Sequence, residues 1–505
     1  MTTLLTERYN ADLLGVLSCY DRIVITGTLP VACHSKGMTS YLYANHIKVF
    51  DYAKAFADPL RNLIRDNAQL LAKTHGVSIE HINRPHIRKE DVVAKVLAQR
   101  GDHPGLVHVI SAMEACSAYV PWHDKKTHKT FLRSTPGKCL HYYFYFLDAE
   151  IGLCYLRVPT WCPFRLQFYC NGHSWLARKL TAESIGYAMA DNAFIRIDDF
   201  DRAQKLADEL SPDQLHRILD LYSQRCCPVS EVFNQSYHWS LMQTEYSTDL
   251  VFRSQAQLQS LYEQLSRQAV IAVKADTVSS FLGKKVTPQL AQEIGSRLST
   301  RIEGTCIKHR MGSASVKIYD KFGRALRIET TTNDVSFFKH HRKVEHKDGR
   351  VTRELAPLKK TIYSLVDLRD ILFGCNRRYL EFLSSLDDHS SGKRALRKLT
   401  EPKIEDKTKW RGFNFFEATE QVLLRTIQRP EFNIRGLRRA DLKRYLPALS
   451  ESTLSRQLKR LRVFGLIKRV TGTYRYYLTT LGRTVVATCA RLTEFTIVPG
   501  LATAT

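Results

Sequence analysis

His309, Tyr319, Asp320, Arg327 and Glu329 crowd into one stretch, IKHRMGSASVKIYDKFGRALRIETTTND at 307–334. These side-chain types bind metals, attack phosphodiesters or neutralise phosphate. Strand alternation puts Val316, Ile318 and Asp320 on one face and Lys317, Tyr319 and Lys321 on the other. A turn through Phe322-Gly323-Arg324 leads to a second strand, with Leu326 and Ile328 on one face and Arg327 and Glu329 opposite. A structural hairpin would treat these residues as a cross-strand polar ladder, worth a few tenths to ~1 kcal/mol per pair. A nucleic-acid-binding hairpin would use Lys308, Arg310, Lys317 and Lys321 to grip phosphates.

Holding such a hairpin takes a large core, and 505 residues suffice for roughly two to four domains. RIVITGTLP (22–30) and GLVHVISAM (105–113) read as buried strands, and HYYFYFLDAEIGLCYLRVPTW (141–161) as a hairpin. GHSWLARKL (172–180) reads as an amphipathic helix opening at Gly172. The expected class is α+β and multidomain. An N-terminal α/β domain spans 1–205, and a helical segment with a Ser211-Pro212 start spans 206–300. A β-hairpin and basic helical region covers 301–386, and a polar, apolar-poor linker covers 387–412. A C-terminal unit occupies 413–505.

The whole chain carries 75 Lys and Arg against 50 Asp and Glu, a net charge of +25, which suggests a polyanionic partner. The N-terminal segment is charged throughout and no run reaches the length of a membrane span, so the expected location is cytoplasmic, with no membrane partner. The 12 cysteines are scattered, without CxxC pairs or zinc-finger spacing, as in a reduced compartment. P-loop, GxGxxG and GxSxG motifs are absent, which argues against nucleotide hydrolysis and α/β-hydrolase chemistry. His123 and His128 in WHDKKTHK, and Cys33-His34, read as loop residues. The aromatics of HYYFYF and WCPFRLQFYC stand beside Arg157 and Arg165, as core strands or as a stacking platform for single strands.

The stretch 432–483 has thirteen Lys and Arg against two Asp and Glu, a surplus of eleven. RRADLKRYL is a short helix, and Pro447 and Ser450 mark the turn out of it. ESTLSRQLKRLRVFG is a longer helix with Leu454, Leu458, Leu461 and Phe464 on one stripe, leaving Thr453, Arg456, Gln457 and Arg460 facing away. Gly465 ends it, and two strands flank a Thr471-Gly472-Thr473 turn, beside which lie Lys468, Arg469 and Arg475. This order resembles the winged helix-turn-helix of bacterial regulators such as the MarR class. The resemblance implies duplex DNA as partner, with Thr453, Arg456, Gln457 and Arg460 at the bases and Lys468, Arg469 and Arg475 in the wing.

SVKIYDKFGRALRIET resembles the YDK…LR(I/V)E hairpin of rolling-circle replication initiators and related phage and conjugative nicking proteins. That resemblance implies a metal-dependent strand-nicking enzyme with Tyr319 as nucleophile and Mg²⁺ or Mn²⁺ as cofactor. Glu329 is the foremost metal ligand, with Asp320, His309 and Glu303 as further candidates. No His-hydrophobic-His triplet is present, so such a site would be carboxylate-rich. Tyr319 and Asp320 point to opposite faces, which makes Asp320 the weaker ligand if Tyr319 attacks. NGHSWLARKL, RIEGTCIKHRMG and NRRYLEF are similar to a long bacterial family labelled winged-helix or MarR-like regulators, a resemblance that implies no activity. The leading expectation is a DNA-binding regulatory or mobile-element protein. A nicking enzyme and a ligand-sensing transcriptional regulator are the alternatives, with RNA as a second partner and a homodimer as an assembly.

Overall fold

The computed structural model describes residues 3–84, 86–285, 294–301, 304–387 and 389–502. Glu303 lies outside them. The chain divides into two compact units, Met1–Asp387 and Asp388–Thr505.

In chain order the first unit contains β1 (Leu13–Thr28), β2 (Ile79–His81), β3 (Gly105–Asp124), β4 (Lys129–Asp148), β5 (Gly152–Pro159) and β6 (Leu166–Cys170). The small hairpin β7 (Tyr187–Ala190) and β8 (Ala193–Ile197) follows, then β9 (His238–Phe252). The run closes with β10 (Ile294–Arg301), β11 (Gly304–Met311), β12 (Ala314–Lys321) and β13 (Ala325–Thr332). All but β7 and β8 form one eleven-stranded sheet in the order β10-β11-β12-β13-β9-β1-β6-β5-β4-β3-β2. β14 (Lys339–Glu345) and β15 (Val351–Pro357) make a separate two-stranded ribbon.

β9 joins the two halves of the sheet by pairing with β1 on one side and β13 on the other. One sheet therefore draws its strands from all three segments that the sequence separates near 205 and 300. The reason lies in β9 itself. HWSLMQTEYSTDLVF carries polar residues on both faces at its centre, so it lacks the alternation that marks a half-buried strand.

One face of the sheet is covered by helices. Val316, Ile318, Leu326, Ile328 and Leu250 pack against Leu258 and Leu265 of the helix Gln255–Ala272 and against Tyr379 and Leu383 of the helix Leu365–Asp387. Further along, Ile23, Ile25, Phe144 and Phe168 share a core with Ile64 of the helix Asp58–Thr74 and Leu219 of the helix Pro212–Cys226. On the other face, the helix Lys89–Arg100 covers Tyr143 and Tyr145 through Val93.

The second unit opens with the helix His389–Thr400 and the hairpin β16 (Lys403–Glu405) and β17 (Thr408–Trp410). Most of the segment expected as a linker is thus built into this unit, with its Leu399 and Trp410 buried in the core beside Phe413. Helices Ala418–Ile427, Pro430–Arg435, Arg439–Tyr445 and Glu451–Val463 follow, then β18 (Ile467–Arg469), β19 (Tyr476–Leu478) and the helix Thr480–Leu492. Leu437 bridges to Tyr476 and adds a third backbone segment to the wing. Among the described residues no helix is long and apolar enough to cross a membrane. None of the twelve cysteines forms a disulfide.

Candidate functional site

The hairpin β12–β13 closes through Phe322 and Gly323, both with positive φ (58° and 66°), and the Asp320 carboxylate accepts a hydrogen bond from the Gly323 amide at 2.9 Å. The register sets Lys317 opposite Glu329 and Tyr319 opposite Arg327. Next in line on β9, Ser247 stands opposite Glu329 and Asp249 opposite Arg327. The ladder is therefore not a solvated one: Glu329 and Asp249 are 1% exposed and Arg327 is fully buried.

Burial of an arginine demands partners, and they come from four segments. Arg327 donates through Nε and Nη2 to both oxygens of Asp249, at 2.7 and 2.6 Å. Its Nη2 also reaches the Asn192 carbonyl at the β7–β8 tip, and its Nη1 lies 3.5 Å from Asp21. Asp21 occupies an irregularity in β1, where the register with β9 shifts between Tyr20 and Arg22, and so is turned onto this face. The Asn192 and Asn171 amides both donate to Asp21, and the His173 ring lies 3.4 Å from it. His173 can sit there because the helix Gly172–Ala182 starts hard against β1. A Cβ at Gly172 would fall 2.5 Å from the Tyr20 carbonyl oxygen.

A second half of the network surrounds Glu329. Tyr319 donates its phenol proton to Glu329 Oε2 at 2.5 Å, and Lys317 Nζ lies 2.5 Å from Oε1. Glu245 is 3.8 Å from the same ammonium. Lys317 holds the Glu329 carboxyl below the ordinary range even though burial opposes this. The Glu245 carboxyl is pushed up to about 7 by burial and by the Glu329 charge. Burial and the Glu329 charge drive the Tyr319 phenol well above its ordinary value. Asp21, Glu245 and Glu329 each offer one oxygen, all within 4.8 Å of one another, a donor set suited to a hard divalent cation.

The sequence singled out Glu329, Tyr319, Lys317 and Arg327, and the fold brings these four together. It does not bring Asp320 or His309 to them. Asp320 sits on the helix-covered side and holds the turn. His309 pairs with Val316 on that side, fully buried, between Ser296 Oγ (2.8 Å) and the Tyr379 hydroxyl (3.0 Å), and burial lowers its pKa to about 4. Lys321 is also buried, at 7% exposure, with its ammonium over the Phe322 ring; Lys308 is half-buried and Arg310 exposed. Asp21, Glu245, Asp249, His173 and Asn192 were not found from sequence. The available signal was a charge set inside an apolar strand, Asp21 beside RIVITG and Asp249 before LVF.

In the second unit, Ser450 caps the helix Glu451–Val463 through the Thr453 amide. Leu454, Leu458, Leu461 and Phe464 are buried, Arg456 is exposed, and Thr453 and Gln457 are partly exposed. Arg460 departs from the expected outward face. It donates to the carbonyls of Arg411 (2.9 Å) and Gly412 (2.6 Å), pairs with Glu420 at 2.8 Å, and stacks over Phe413. The 411–413 strand of backbone covers that flank of the helix. In the wing, Lys468 and Arg469 are exposed, Gly472 has φ 74°, and Arg475 donates to the Arg435 carbonyl.

Residues 431–497 match the HxlR-like helix-turn-helix family. The C-terminal unit thus contains a region similar to the HxlR-like helix-turn-helix, in which the β18–β19 hairpin follows the helix Glu451–Val463. No curated protein and no solved structure matches the chain.

Proposed function

We propose that the protein is a DNA-binding regulator that reads duplex DNA through its C-terminal unit. The observation that carries this reading is the HxlR-like match over 431–497, whose Glu451–Val463 helix presents Arg456 to solvent beside an exposed basic wing. Arg456 and Gln457 enter the major groove, and Lys468 and Arg469 contact phosphate. Selection of preferred duplexes from a random library by the full-length protein, followed by titration at several salt concentrations, tests it. The expected result is an enriched sequence motif and a steep fall of affinity with salt. Recovery of no motif, with affinity indifferent to salt, would overturn the reading.

A second reading, metal-dependent strand nicking, is favoured by the convergence of Asp21, Glu245 and Glu329 beside Tyr319. These three carboxylates would hold Mg²⁺ or Mn²⁺, which supplies charge neutralisation at a scissile phosphate. Glu329 is placed to accept the Tyr319 proton. Against it stand the raised Tyr319 pKa and Lys317, which already neutralises Glu329. Incubation with supercoiled and single-stranded DNA plus either metal decides. Nicks joined to Tyr319 and lost in Glu329→Gln support this reading, and intact DNA removes it.

The ligand-sensing alternative calls for an apolar pocket in the first unit. Two cavities among its described residues carry Arg157, Arg165 and Lys36 in their walls, and a third is lined by polar residues such as Asp220, Glu231 and Asn234.

A further inference from the structure

β14 and β15 form a two-stranded ribbon outside the large sheet. Phe338 and Leu358, buried in the core of the first unit, anchor its base, and the Leu358 amide donates to the Phe338 carbonyl. The far end closes through Gly349 (φ 79°), where the His346 amide donates to the Arg350 carbonyl. Burial alternates along the ribbon. His340, Arg342 and Val344 are half-buried and Ala356 is buried, so their face turns toward the body of the unit. The other face is exposed at every residue, Lys339, His341, Lys343, Arg353 and Leu355 among them. Its single acid, Glu345, stands at the far end opposite Val351.

The two faces differ in charge as well. On the inner face Arg342 stands opposite Glu354, and His340 lies 3.5 Å from Asp367. On the outer face Lys343 stands opposite Arg353, and neither side chain makes a hydrogen bond or ion pair among the described residues. Like charges directly opposite each other destabilise a strand pair. Charges that merely keep an exposed edge from pairing would serve equally well with opposite signs across the ribbon. Lys339 adds to the same face. Its proximity, after burial, lowers the pKa of Lys284, whose ammonium lies over the Phe337 ring near the base. A polyanion seated on the outer face would relieve both repulsions.

We propose that the outer face of this ribbon binds duplex DNA, a second DNA contact made by the first unit, with Lys339, Lys343 and Arg353 on phosphates bordering the major groove. Seven residues per strand make the ribbon roughly 23 Å long, and a major groove about 12 Å wide admits a two-stranded ribbon. Val351 and Leu355, 61% and 56% exposed, supply apolar contact for thymine methyl groups on the groove floor. The outer face has no Phe, Tyr or Trp on which unpaired bases could stack, which sets a single strand aside. The major groove of an RNA duplex is too deep and narrow for side chains to read, which sets that partner aside too. These arguments concern the ribbon alone and do not rest on the helix-turn-helix.

The test uses the full-length protein and a fluorescein-labelled DNA duplex of about 40 base pairs, titrated by anisotropy at several salt concentrations. Lys343→Ala combined with Arg353→Ala should weaken binding roughly tenfold and lower the salt slope by about two units, with a melting temperature unchanged or raised. Lys125→Ala combined with Lys126→Ala removes the same charge from the exposed β3–β4 turn and should change affinity far less, because salt screens charges that touch no phosphate. p-Benzoylphenylalanine in place of Val351 should cross-link to the duplex under ultraviolet light. Full affinity and slope in the ribbon variant overturn the proposal and leave the helix-turn-helix reading standing. Equal losses in the β3–β4 variant overturn it as well. A ribbon variant that weakens binding of duplex RNA as much as duplex DNA overturns the assignment to the groove. A protein that selects no duplex motif, yet loses non-specific duplex affinity in the ribbon variant, would remove the helix-turn-helix reading and leave this one standing.

Discussion

At the scale of single residues, the Glu245–Glu329–Lys317 group sets a definite pH dependence. Two carboxylates share one ammonium, so one of them stays protonated until the pH nears neutrality. Folding raises Glu245 from an ordinary 4.5 to about 7. Its contribution to stability is therefore complete below about pH 4.5 and is lost as the pH rises through 7. Glu329 works in the opposite sense, contributing above the ordinary carboxylate range and less below it. Glu245→Gln, which cannot ionise, should melt higher than the parent at pH 8 and lose less stability between pH 5 and 8. The difference should be of the order of 2 kcal/mol, and parallel melting profiles would refute the assignment. Arg327 makes a second case. Arg327→Met leaves Asp249 and Asp21 buried without their main cation and should cost about 3–5 kcal/mol in chemical denaturation, far above a surface substitution.

Among secondary-structure elements, the helix Glu451–Val463 separates positions that helical spacing alone treats as equal. Arg456→Ala should weaken binding to a selected duplex by ~1–3 kcal/mol and relax preference there, with no change in melting temperature. Arg460→Ala should do the reverse. It strands the Arg411 and Gly412 carbonyls and the buried Glu420 carboxylate, at about 2–4 kcal/mol, while the DNA affinity of the folded protein holds. The wing differs again. Replacing Lys468 and Arg469 should lower the salt slope of duplex binding by roughly one unit each without altering the selected motif. Equal effects of Arg456→Ala and Arg460→Ala on both measurements would show that the helix faces had been misassigned.

For the molecule as a whole, legibility from sequence tracked the distance between partners along the chain. The C-terminal unit was readable because each contact that defines it lies a few turns away: Ser450 caps Thr453, Leu454 packs beside Leu458, and Gly465 ends the helix it follows. Even there, Arg460 was misplaced because its partners at 411–413 belong to a stretch whose polar composition hid Trp410 and Phe413. In the first unit the β12–β13 faces were readable from alternation, since their hydrogen bonds are local. The carboxylates that complete the site were not. Asp21, Glu245 and Asp249 reach Glu329 and Arg327 only through pairings such as Leu13 with Phe252 and Ala325 with Val251, which no local period announces. Hydrogen exchange followed by mass spectrometry should show its slowest amides in β1 and β9, the strands shared by both halves of the sheet. Faster exchange there than in β3 and β4 would mean that the halves open independently.

The central place of β1 bears on synthesis. Its two neighbours in the sheet begin at Leu166 and His238, long after Thr28 has been added. At translation rates of about 5–20 residues per second, this apolar strand leaves the ribosome roughly 10–40 s before its second edge can be satisfied. During that interval Ile23, Val24 and Ile25 form an unpaired edge open to other nascent chains, so yield on expression should depend on slow growth temperature or on holdase chaperones that occupy β1 until β9 emerges.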